Sequence, residues 1–95
     1  MREIVMDATN WKAADDVYDS FFKAVGAPTW HGRNFNALRD GIAAGHINQI
    51  EAPYLIKLAN YSHTGPDAKE MADHFIELIG DLKKEGCPVD IEVES

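Results

Sequence analysis

Residues 28–42 read PTWHGRNFNALRDGI, and the rest of the chain is arranged around this stretch. Gly32 permits backbone angles that other residues avoid, and Asn34 is of a type that often caps a helix N-terminus. Apolar side chains then recur at helical spacing from Phe35 to Ile42. The pattern predicts a turn that leads into a short helix with one buried face.

The other side of this predicted helix is polar. Asn36 and Asp40 lie one helical turn apart, and Arg39 lies between them and the apolar stripe. Trp30 and His31 come just before the helix. These residue types together are typical of a recognition surface. Considered alone, Asp40 stays open to the simpler interpretation that it is an exposed carboxylate of little consequence.

Three segments on either side of this stretch predict strands. Residues 3–7 form a short apolar run that fits a buried strand, and residues 53–58 form a second one. Residues 89–94 alternate between aliphatic and acidic side chains, which predicts an edge strand with one solvent-exposed face. Residues 60–65 are rich in turn formers and fit a short helical turn, whereas residues 46–52 predict a loop.

Helical patterns separate these strands. Apolar residues from Ala14 to Val25 recur as in an amphipathic helix that Gly26 ends, and a second such pattern begins at Pro66 and ends near Gly86. Strands that are separated by helices pair in parallel through right-handed crossovers. We therefore predict an α/β fold, with a three-stranded parallel sheet packed against three to four helices, in a single domain over residues 1–95.

Composition restricts the classes of partner. The formal net charge of −7 argues against direct binding of nucleic acid and favours a basic protein partner, although acidic composition also serves solubility alone. Cys87 is the one cysteine, which fits a reducing compartment. The sequence has no stretch of transmembrane length and begins without a signal peptide, so we predict a cytoplasmic protein.

The run from Trp30 to Asp40 resembles the barstar family of ribonuclease inhibitors, whose inhibitory helix follows the pattern aromatic-x-Gly-x-Asn-(Leu)-Asp-Ala-Leu-x-Asp. The segment from Lys84 to Cys87, with the alternating run after it, is similar to the family's last helix and strand. The resemblance implies the family's fold and a non-enzymatic inhibitor, or immunity protein, without a cofactor or metal. It also implies binding to a ribonuclease, and it suggests a cis bond between Ala52 and Pro53, although most X-Pro bonds are trans. We expect a monomer that binds its partner one to one, because the sequence shows no extended apolar patch beyond its core stripes.

The resemblance also implies where the partner binds. The implied partner-binding residues are Trp30, Gly32, Arg33, Asn34, Asn36, Arg39, Asp40, Asp81 and Glu85. Asp40 would enter the nuclease active site, and Asp81 and Glu85 would approach the nuclease from the last helix. Structural roles stay open for three of these residues: Asn34 as a helix cap, Gly32 as a loop residue, and Trp30 as part of the core.

The last helix carries an acidic stripe, which consists of Glu70, Asp73, Glu77, Asp81 and Glu85. Like charges at i, i+4 spacing cost a few tenths of a kcal/mol per pair, and anions near a helix C-terminus are unfavourable. Two interpretations stay open. The stripe is either a solvated face that Lys83 and Lys84 compensate, or a surface for a basic protein.

Three positions depart from the family pattern. Asn36 stands where a second aspartate is usual, Arg39 stands at a position that is often Trp, and Arg33 adds a cation. The identity of the target therefore stays open, and one alternative is an interaction module of the same fold that binds a basic protein other than a nuclease.

A second alternative is a small metal-dependent or hydrolytic enzyme. Its available ligands or bases are His31, His46, His63, His74 and Cys87. None of these forms the paired spacing of a zinc site, and the chain has no nucleophile elbow. The sequence therefore disfavours catalysis.

Overall fold

The computed structural model describes residues 2–26, 35–43 and 53–95. In chain order, the elements are β1 (Arg2–Asp7), α1 (Ala14–Val25), α2 (Phe35–Ala43), β2 (Tyr54–Ala59), a 3-10 turn (Tyr61–His63), α3 (Pro66–Lys84) and β3 (Val89–Val93). All three predicted strands, the helical turn after β2 and the three predicted helices are confirmed.

The strands form one parallel sheet in the order β1-β2-β3, with β2 in the centre. Ile56 of β2 pairs with Ile4 of β1 on one side and with Ile91 of β3 on the other. Parallel neighbours need crossover connections, and α3 supplies the one between β2 and β3. The predicted three-stranded parallel α/β architecture is confirmed.

The described helices cover one face of this sheet. Ile4, Met6 and Ile56 lie on the covered face and are buried, whereas Val5 points to the opposite face and is 61% exposed. The prediction that β1 is a buried strand is therefore wrong. Its apolar run is continuous in sequence, but alternate side chains of a strand point to opposite faces, and only one face meets the helices.

β3 lies at the edge of the sheet, as predicted, but only part of its aliphatic face is buried. Val89 is buried, while Val93, on the same face, is 45% exposed. The helical layer therefore ends before the last residue of β3. Asp90 and Glu92 lie on the uncovered face, where their charges discourage the edge strand from pairing with another chain.

α1 begins and ends through local interactions. The Asp16 carboxylate accepts hydrogen bonds from the backbone amides of Lys12 (2.8 Å) and Ala13 (3.0 Å), and these bonds lower the pKa of Asp16. At the other end, Gly26 takes a left-handed conformation (φ 68°), as the sequence predicts for the residue that stops this helix. One member of the acidic first turn therefore caps the helix.

The core is centred on the ring of Phe21. Its centroid lies 5.4 Å from that of Phe75 on α3 and 6.5 Å from that of Tyr54 on β2. All three side chains are almost completely buried. Aromatic contacts of this kind add to the free energy gained by removing apolar area from water. Phe21 thus joins α1, α3 and the central strand.

Among the described residues, no helix has both the length and the apolar character that crossing a membrane requires.

Replacing Phe21 tests the importance of this contact. We expect Phe21→Ala to lower the free energy of unfolding by about 3–5 kcal/mol, because it removes the ring and leaves a cavity among three elements. Urea denaturation followed by circular dichroism measures the change. Val5→Ala is the matched control, and we expect it to change stability by less than about 0.5 kcal/mol because Val5 is largely exposed. Similar losses in both variants would contradict this view of the core.

A polar cluster joins the ends of β1 and β2. Asp7 accepts hydrogen bonds from the backbone amide (3.0 Å) and hydroxyl (2.6 Å) of Thr9 and from the side-chain amide of Asn60 (2.9 Å). Asn60 has a positive φ of 59°, a conformation that Asn tolerates better than most residues. The hydrogen bonds from Thr9, followed by the one from Asn60, lower the pKa of Asp7 to about 2.

This pKa predicts how stability depends on pH. A carboxyl group whose pKa is lower in the folded state stabilises the fold above its unfolded pKa, and that stability is lost as the pH falls. We expect the loss from Asp7 between about pH 4 and pH 2. Asp7→Asn should therefore lower the unfolding free energy at pH 7 and reduce its dependence on pH in this range. Asp81→Asn is the control, and an equal effect of the two substitutions on the pH dependence would contradict the assignment.

Candidate protein-binding surface

α2 is attached to the core by one side. Leu38 and Ile42 are almost completely buried, while Asn36 and Asp40 are exposed. Asn36 and Asp40 lie one turn apart, so their side chains project from neighbouring positions on the same side of the helix. The predicted polar side of α2 therefore presents an amide and a carboxylate to the solvent.

Arg39 of α2 reaches the residue that follows α3. Its Nη2 lies 2.8 Å from Oε1 and 3.0 Å from Oε2 of Glu85. The two side chains are 43% and 54% exposed. An ion pair at this level of exposure is screened by salt, so its main consequence is geometric. The contact shows that α2 lies beside the C-terminal end of α3.

The acidic stripe of α3 does not act as one surface. Asp73 accepts hydrogen bonds from the Tyr61 hydroxyl and from Nζ of Lys69 (3.0 Å), and both bonds lower the pKa of Asp73. Nζ of Lys69 also lies 5.5 Å from the centre of the Tyr61 ring. Asp73 therefore belongs to a cluster that holds the 3-10 turn on α3.

The other four members of the stripe are exposed, and Glu70 among them lies in the N-terminal part of α3. Glu77 and Asp81 are exposed on successive turns before Glu85, and Asp81 lies one turn from the ion pair with Arg39. Lys83, which the solvated-face interpretation assigns to compensation of the stripe, instead contacts Asp90 of β3 at 2.9 Å. Among the described acids of α3, Asp73 is therefore held within the fold, whereas Glu77 and Asp81 are exposed near the C-terminal end of the helix.

The predicted site residues are only partly described. Asn36, Arg39 and Asp40 of α2 and Asp81 and Glu85 of the α3 end have described positions, and the contact between Arg39 and Glu85 brings the two sets together. Trp30, Gly32, Arg33 and Asn34 lie outside the described residues. The predicted cis bond also lies outside them, because Ala52 is not described.

The residues considered for metal binding or catalysis are dispersed. His63 ends the 3-10 turn, His74 is exposed on α3, and Cys87 is half-buried before β3, while His31 and His46 lie outside the described residues. Burial raises the pKa of the Cys87 thiol, which disfavours the reactive thiolate. Within the described ranges, no three His, Cys, Asp or Glu side chains form a set that could hold a metal.

A comparison with family models adds to this geometry. Residues 1–94 match the model described as "Barstar (barnase inhibitor)". The chain belongs to the barstar family. A comparison with curated proteins finds no match to this sequence. The family's members are inhibitor proteins, and this barstar-family chain has the three-stranded parallel sheet that the resemblance implied.

The sequence analysis missed the pairing of Arg39 with Glu85. The two residues are 46 positions apart, so no local spacing connects them. A signal was nevertheless present, because an anion at a helix C-terminus is unfavourable without a nearby cation. The sequence analysis assigned this cation to Lys83 and Lys84. In the structure, the cation that contacts Glu85 is Arg39 of α2.

A double-mutant cycle tests whether this ion pair forms in solution. We expect Arg39→Gln and Glu85→Gln to show a coupling of about 0.2–1 kcal/mol in the free energy of unfolding, as for other exposed pairs. The coupling should decrease at high salt, because the pair is exposed. The same cycle at Lys69 and Asp73 provides a matched comparison. Additive effects at low salt would contradict a formed pair at Arg39 and Glu85.

Proposed function

We propose that this barstar-family protein is an inhibitor, or immunity protein, of a barnase-type ribonuclease in the cytoplasm. It binds the enzyme one to one, as a monomer, and blocks the active site. The family match supports the class of target. The exposed polar side of α2, with Asp40 at its middle and Asp81 nearby on α3, is the observation that carries the proposal.

The chemistry of the target explains why a carboxylate would be the central contact. A ribonuclease must hold the phosphates of RNA, and proteins do so with lysine, arginine and other donors. A carboxylate accepts charge-assisted hydrogen bonds from the same donors. Asp40 on α2 would therefore occupy the position of an RNA phosphate. Because this mechanism consists of occupying a site, it requires no catalytic group.

The attachment of α2 suits it for this role. Leu38 and Ile42 are buried on one side of the helix, so Asn36 and Asp40 are held on the other side by a packed core. Pre-positioned contact groups lose less conformational entropy on binding than mobile ones. The exposed acids of α3 and the net charge of −7 would accelerate the encounter with a basic enzyme. The undescribed residues Trp30, Gly32, Arg33 and Asn34 are proposed to complete the surface before α2.

Titration against barnase tests the proposal. Calorimetry would measure affinity and stoichiometry, and cleavage of RNA would measure inhibition in parallel. We expect one-to-one binding that abolishes cleavage. Asp40→Asn should weaken binding by at least about 100-fold, mostly through faster dissociation, because it leaves basic groups of the enzyme buried without a partner. Asp15→Asn is the matched control, since Asp15 is an exposed acid on α1.

The outcomes distinguish the proposal from its alternative. Equal binding by the Asp40→Asn and Asp15→Asn variants would contradict the role of α2. No binding or inhibition of barnase or of other small ribonucleases would contradict the proposed function. That result would favour the interaction module that binds a non-nuclease basic protein, for which the departures at Asn36 and Arg39 are the supporting features.

A further inference from the structure

The ion pair between Arg39 and Glu85 lies beside the groups that the proposed function uses. Arg39 precedes Asp40 on α2, and Glu85 follows Asp81 by one turn. A protein that covers Asp40 and Asp81 therefore also covers this pair. Since both side chains are about half exposed in the free protein, docking would remove water from them.

The contact with Glu85 uses one of the three guanidinium nitrogens of Arg39 as a hydrogen-bond donor. Both hydrogen bonds to Glu85 come from Nη2, and neither uses Nη1 or Nε. A guanidinium carries N–H donors on all three nitrogens, and donors that lose water without gaining an acceptor are costly. A partner that offers a carboxylate at this position would satisfy them.

A lysine or arginine of the partner at the same position would be disfavoured. It would face the positive charge of Arg39, while the carboxylate of Glu85 is already engaged. The pair therefore forms a site that disfavours lysine and arginine beside the exposed carboxylates of Asp40 and Asp81. Unfavourable contacts of this kind discriminate between partners as effectively as favourable ones.

We propose that Arg39, held in place by Glu85, determines which ribonucleases this protein binds. It favours an enzyme that presents a carboxylate beside its basic active site, and it disfavours an enzyme that presents a cation there. This inference rests on the proposed function. It extends that function by giving a role to Arg39, one of the three residues that depart from the family pattern.

Barnase serves as the basic probe, and the Lys12→Gln variant serves as the control. Lys12 follows the C-terminal end of β1, whereas Glu85 lies before the N-terminal end of β3, so the length of the sheet separates them. That length is roughly 20 Å for strands of this size, which exceeds the screening length of about 8 Å at physiological salt. Both substitutions remove one positive charge, but only Arg39→Gln removes it from the proposed surface.

We expect Arg39→Gln to bind barnase about tenfold more tightly than the unmodified protein, and Lys12→Gln to change affinity by less than about twofold. Glu85→Gln alone should weaken binding to barnase, because it removes an acid from the proposed surface and leaves the positive charge of Arg39 unopposed. In the Arg39→Gln background it should weaken binding by about tenfold, because Glu85 is then free to contact a cation. Circular dichroism would confirm that each variant is folded.

The proposal is overturned if Arg39→Gln binds no more tightly than Lys12→Gln, or binds more weakly. Weaker binding would mean that Arg39 contributes favourably to binding of the basic probe, which is the opposite of the unfavourable contact proposed. If Asp40→Asn still weakens binding by at least about 100-fold in that case, the proposed function stands and only this inference fails. If the unmodified protein and all variants fail to bind barnase, the proposed function fails and this inference fails with it.

Discussion

The contact among Phe21, Phe75 and Tyr54 is the interaction on which the rest of the structure depends. It joins α1, α3 and the central strand at one place, with ring centroids 5.4–6.5 Å apart. A chain of this length has one modest core, so few contacts determine the positions of its helices. By holding α3 against α1, this contact also helps to determine where the acids at the end of α3 project.

The sheet distributes structural and functional roles between its two ends. At the C-terminal ends of β1 and β2, Asp7, Thr9 and Asn60 form a hydrogen-bonded cluster that joins the strands. At the opposite end, α3 finishes and Arg39 meets Glu85. The first cluster uses an acid to stabilise the fold. The second lies beside the surface that we propose for the partner. The carboxylate that joins β1 to β2 is therefore at the opposite end of the sheet from those that we propose contact the partner.

Among the described acidic residues, those that hydrogen bonds hold within the fold differ from those that project into solvent. Asp7, Asp16, Asp73 and Asp90 each have hydrogen bonds that lower their pKa values, and each joins elements or caps one. Asp40, Glu77 and Asp81 remain exposed. The paired carboxylates remain ionised, because their hydrogen bonds lower their pKa values, but their oxygens already contact groups of the fold. The free carboxylates are the ones that could contact a basic enzyme without breaking an existing interaction.

The sequence by itself determined the element order, the parallel sheet and the polar side of α2. Those features depend on local patterns, such as the spacing from Phe35 to Ile42 and the stop at Gly26, which a single segment carries. Only the tertiary structure decided which face of β1 is covered and which acids of α3 are free. Those outcomes depend on the packing of distant segments. Arg39 reaches Glu85 because α2 and the end of α3 lie side by side in the fold, and no spacing along the chain encodes that distance.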